Sequence, residues 1–78
     1  MKNSLGNKIR MARLLCHLTQ DELSKVTGID RARLSRIENN FVNPSDREKS
    51  SICSAIRVRS SKMGYDKAIL MENLDDIA

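Results

Sequence analysis

Aromatic side chains are almost absent from this sequence. There is no tryptophan, and Phe41 and Tyr65 are the only Phe or Tyr residues in 78. Any core must therefore be aliphatic with Met and Cys, which suits packed helices better than a sheet, where aromatic and β-branched residues are favoured. One proline and three glycines leave helix interiors unbroken. The two cysteines, Cys16 and Cys53, come with no C-x-x-C and no histidine cluster. They make neither a disulfide framework nor a zinc site, and their apolar helical registers mark them as buried free thiols. With one histidine, no glycine-rich phosphate loop and no nucleophile constellation, nothing points to catalysis, a metal or a cofactor. No apolar run is long enough to span a membrane, and the N-terminus has no signal-peptide pattern, so a cytoplasmic protein without membrane contact is expected.

A chain this short makes one small domain with a thin core, removing only about 60% of its unfolded surface from water. Its net charge of +4 is unevenly spread. Residues 1–62 hold thirteen Lys/Arg against six Asp/Glu, whereas residues 63–78 hold one lysine against four acids. A basic body with an acidic tail suits a phosphate-facing surface on the first and another task for the second.

The first apolar pattern is Leu5, Ile9, Ala12 and Cys16, at helical spacing. Met11, Leu14 and Leu15 widen it, leaving them for a later helix of the same chain or for a second protein. His17 ends that helix as a C-terminal cap. Thr19-Gln20-Asp21-Glu22 then forms a T-x-x-E capping box, with Leu23 as an apolar anchor and Ser24 small enough for close helix approach. Gly28 supplies the positive φ of a sharp turn, Ile29 returns to the core, and Asp30 caps the next helix. Leu34 and Ile37 share one face of that helix, and Arg31, Ala32, Ser35, Arg36 and Asn39 occupy the others. Residues 19–39 thus read as a helix-turn-helix.

Asn40 follows that helix, and Asn tolerates the left-handed conformation best after glycine; Phe41 or Val42 is expected to pack beneath the helix. Ser45 and Glu48 form a second capping box. The helix it opens is polar through Asp46-Arg47-Glu48-Lys49-Ser50-Ser51, with an apolar face only from Ile52, Cys53, Ala55, Ile56 and Val58. Its first half must be exposed or its register shifted. Arg57, Arg59 and Lys62 add positive charge, and residues 60–64 read as a connector. Asp66 then caps a last helix carrying Ala68, Ile69, Leu70, Met71, Leu74 and Ile77. That segment either folds back on the first helix or pairs with its copy in a dimer.

L-T-Q-D-E-L-S, G-I-D and L-S-R-I-E-N at this spacing resemble the lambda-repressor/Cro-like helix-turn-helix domains of phage and bacterial regulators. Leu5-Gly6, Ile9-Arg10 with Arg13, and Asn43-Pro44-Ser45 extend the resemblance over residues 4–59. It implies an all-α bundle of four to five helices, with residues 1–62 the DNA-binding domain and 63–78 a packing or dimerisation element. It further implies that Arg31, Ala32, Ser35 and Arg36 face the bases of the major groove, Arg36 foremost. Phosphate contacts would come from Gln20 with Thr19, from Arg10 and Arg13, and from Asn39 and Asn40. Arg33 would meet a phosphate or an acidic neighbour, and Arg13 would pair with Glu38. Gly28, Leu23, Leu34, Ile37 and Glu38 would hold the frame. The function implied is a repressor binding a palindromic operator in double-stranded DNA as a homodimer. The competing reading is a helix-turn-helix module acting on a protein partner through residues 64–78.

Overall fold

The computed structural model describes residues 5–63. They form four helices, α1 (Leu5–Leu15), α2 (Gln20–Thr27), α3 (Arg31–Glu38) and α4 (Asp46–Met63), and no strand. The architecture is the expected all-α one. The expected helix after Asp66 lies outside the described residues.

The three short helices are set by their ends. In α2, Thr19 Oγ1 accepts from the Glu22 amide and the Glu22 carboxylate accepts from the Thr19 amide, both at 3.0 Å. Gly28 closes α2 at φ 75°, its N–H donating to the Ser24 carbonyl at 2.8 Å. The Ser24 hydroxyl donates to the Ile29 carbonyl at 2.6 Å, so Ser24 fastens the turn rather than merely making room for a helix. Asp30 then caps α3, its carboxylate accepting from the Ala32 amide at 3.1 Å.

Both α1 and α3 end in a Schellman motif without glycine. His17 takes φ 53°, with its N–H on Leu14 and the Leu18 N–H on Arg13, each at 3.0 Å. Asn40 takes φ 64°, with its N–H on Ile37 at 3.1 Å and the Phe41 N–H on Arg36 at 2.8 Å. Asn tolerates the left-handed region; His carries a steric cost there. His17→Gly is therefore expected to stabilise the fold by about 1 kcal/mol, raising Tm by roughly 5 °C in a thermal melt.

One aliphatic core binds the helices. Ile9, Ala12 and Cys16 of the α1 stripe meet Leu23, Ile29, Leu34 and Ile37, and α4 closes the core with Ile52, Cys53 and Ile56. Both cysteines are buried free thiols, and burial pushes their pKa values up, as expected of inert core residues. Val42 packs against this core, while Phe41 is 79% exposed, so Val42 alone takes the place offered to either. In the polar start of α4, Asp46, Arg47 and Ser50 are exposed and Glu48, Lys49 and Ser51 half-buried; of the expected apolar face Ile52, Cys53 and Ile56 are buried, whereas Val58 turns outward, 57% exposed.

The connector reading fails over residues 60–63, where α4 continues to Met63. Ser60 lies one turn beyond Ile56, is buried, and returns its hydroxyl proton to the Arg57 carbonyl at 3.0 Å. A self-satisfied serine extends the stripe as a small residue would. No helix among the described residues is long and apolar enough to cross a membrane.

Candidate nucleic-acid interface

At the end of the α1–α3 contact, glycine is required for space. A Cβ on Gly6 would overlap the Ile37 carbonyl oxygen and lie 2.6 Å from that of Glu38. The Gly6 N–H donates to Asn40 Oδ1 at 3.0 Å. Asn40, expected at a phosphate, thus turns its side-chain oxygen to the start of α1, supplying one of the orphan amides there with an acceptor.

Behind α3 lies the expected Arg13–Glu38 pair. Arg13 Nε and Nη2 fork onto the two Glu38 oxygens at 2.8 and 3.0 Å, and Nη1 donates to the Leu18 carbonyl at 2.9 Å. The two side chains are only 10% and 3% exposed. Burial takes Arg13 from the set of open cations awaiting phosphate and makes it a scaffold. Its effect passes on, because Gln20 Nε2 donates to Glu38 Oε1 at 3.2 Å. One carboxylate thereby fixes Gln20 at the start of α2 against α1 and α3.

Around Gln20 the chemistry suits an anion. The capping box occupies the amides of Thr19 and Glu22. The amides of Gln20 and Asp21 meet no acceptor among the described residues and stand at the positive end of the helix dipole. Thr19 itself serves the cap, its hydroxyl and amide both engaged.

On α3, Arg31, Ser35 and Asn39 follow one another at i, i+4 spacing, with Ala32 and Arg36 in the adjoining row. Arg31, Ala32 and Arg36 are exposed and Ser35 half-buried. The side chain of Arg36 makes no hydrogen bond or ion pair among the described residues, and neither does that of exposed Arg10 on α1. Arg31 is held by Asp21 of α2, its Nη1 lying 3.2 Å from Oδ1 and 3.4 Å from Oδ2. Asn39 turns its amide back to the Ser35 carbonyl at 2.9 Å, capping α3.

Arg33 meets an acidic neighbour. Its Nε and Nη2 reach the Glu48 oxygens at 2.6 and 2.8 Å, tying α3 to the start of α4. Those hydrogen bonds, with the one from the Ser45 amide, hold the Glu48 carboxyl down at about 2, from an ordinary 4.5. A depressed carboxyl stabilises the fold above its unfolded value, and the contribution is lost as pH falls from about 4.5 towards 2. Glu48→Gln is expected to lower Tm at pH 7, with the gap to wild type closing in melts taken towards pH 2.

The exposed row on α3, the open amides of α2 and the buried ties beneath them share one geometry, that of a short exposed helix held rigidly from behind. A family model described as helix-turn-helix matches residues 9–62, well over half of the chain. This protein belongs to the lambda-repressor-like helix-turn-helix family. That family consists of DNA-binding regulatory domains rather than enzymes. No curated protein and no solved structure gives a significant match to the chain. In this helix-turn-helix protein the Asp21–Arg31 pair, the identity of Arg33's acidic neighbour as Glu48 and the tight packing at Gly6 escaped sequence reasoning.

Proposed function

We propose that this protein is a sequence-specific repressor that binds a palindromic operator as a homodimer, α3 lying in the major groove. The observation that carries it is Arg36: exposed, with no side-chain partner among the described residues, and mounted on a helix anchored from behind by the Arg13–Glu38 fork. A free guanidinium can bond guanine O6 and N7 together, a fork that lysine cannot copy. Ala32 offers a small apolar surface to a thymine methyl, and Ser35 adds an adaptable hydroxyl. Gln20, the α2 amides and Arg10 set the register on the phosphates.

One such domain touches few bases, so two copies on half-sites about 34 Å apart raise affinity by tethering. Residues 64–78 are the proposed packing or dimerisation element, and occupancy of a promoter by the dimer gives repression without any activating surface. A cytoplasmic location follows from that role. The second reading, a module acting on a protein, is favoured by Met11 and Leu14 on α1, both about half exposed.

Fluorescence anisotropy on a duplex selected from random DNA tests the proposal. Arg36→Ala is expected to weaken the selected site by about 10- to 100-fold, while an unrelated duplex changes little. Equal binding of both duplexes by wild type and variant would refute sequence readout and favour the protein-partner reading.

A further inference from the structure

Of the two arginines read as groove-facing, Arg36 has no side-chain partner among the described residues and Arg31 is held. Arg31 opens α3 at its first position, where a cation opposes the helix dipole, and no acidic residue follows in that first turn. Its partner comes from the other helix of the motif. Asp21 sits in the first turn of α2, beside the amides suited to a phosphate, and both side chains of the pair are 63% exposed. So exposed a pair contributes little to folding. A carboxylate in that turn also repels the DNA backbone. Asp21 gains a little from the dipole of α2, but general affinity for DNA does not account for it.

We propose that Asp21 is a specificity-determining residue acting through Arg31. This rests on the reading that α3 enters the major groove. Asp21 engages Arg31 through Nη1 alone, leaving the Nε–Nη2 edge open for the O6/N7 pair of a guanine. It keeps the guanidinium from wandering to the nearest phosphate, the contact that carries no sequence information. Where the base pair is wrong, Arg31 remains with Asp21, and the carboxylate lowers affinity for random DNA. Arg31 thereby adds discrimination at one base pair rather than adhesion everywhere.

The test is a binding series on the selected operator with each base pair replaced in turn. Wild type is compared with Asp21→Asn, Asp21→Glu, Arg31→Ala, the Arg31→Ala/Asp21→Asn double variant and Arg36→Ala. Asp21→Asn is expected to tighten binding to unrelated DNA and to erase a preference of about tenfold at a single base pair. That base pair is the one Arg31→Ala also flattens, and Asp21→Glu restores part of the preference. In the Arg31→Ala background, Asp21→Asn should change all duplexes by one common factor. A uniform shift from Asp21→Asn alone, with every base preference intact, would overturn the inference and leave the groove reading standing. Flattening at all positions would overturn it too, marking Asp21 as a structural residue. If Arg36→Ala moves no preference anywhere, the groove reading falls and takes the inference with it.

Discussion

Gly6→Ala is expected to destabilise the protein by about 3 kcal/mol and to lower Tm by roughly 15 °C. By helix propensity alone the substitution should stabilise α1, by roughly 0.5–1 kcal/mol. The sign is reversed by what lies against Gly6: the new Cβ overlaps the Ile37 carbonyl oxygen and crowds that of Glu38, both backbone atoms. Backbone cannot swing aside as a side-chain end would. Relief would come by moving α1 from α3, breaking the Gly6–Asn40 hydrogen bond and loosening the core that Ile9 and Ile37 share. Urea and thermal denaturation followed by circular dichroism measure the change. A Tm at or above that of wild type would show that the α1–α3 contact is looser than described.

Glu38→Ala carries the second large effect. Removing one partner from a buried pair leaves an uncompensated charge, a cost of about 3–5 kcal/mol. Total stability for a chain of this size is of the same order, so the variant should be largely unfolded at 37 °C. The double variant Arg13→Met/Glu38→Leu separates burial of a lone charge from loss of the pair. Apolar residues of similar volume are often neutral in place of a buried pair, and the double variant should regain most of the stability. DNA binding should not return with it, because Gln20 loses the carboxylate that fixes its amide. Denaturation and anisotropy on the same three proteins read both outcomes.

The features legible in the sequence were those whose partners lie within a turn or two. Thr19 with Glu22, Ser45 with Glu48, Asp30 with Ala32, and the positive φ at Gly28 each depend on residues at fixed offsets, which a linear string displays directly. The apolar stripes of α1 and α3 were equally plain, because helical spacing fixes which positions face inward. Arg13 with Glu38 was the one distant pair foreseen, and family resemblance supplied it. The remaining distant contacts depend on how helices cross. Arg33 chose Glu48 because α4 begins beside the middle of α3. Arg31 met Asp21 because the turn at Gly28 folds the start of α3 back beside the start of α2. The Asn40 oxygen met the Gly6 amide for the same reason, its partner being decided by where α1 begins. The serine-rich end of α4 misled by composition, because polarity of the residue type hid a hydroxyl satisfied within its own helix.

The most direct measurement is a nitrogen–proton NMR titration of the full chain with the selected operator, against an unrelated duplex of equal length. The Arg36 and Arg31 side-chain signals, the Gln20 side-chain amide and the Gln20 and Asp21 backbone amides are expected to shift with the operator. Val58, on the exposed side of α4, should stay still. Shifts confined to α4 or to Met11 and Leu14, with the α3 arginines unmoved, would contradict α3 as the element that reads DNA.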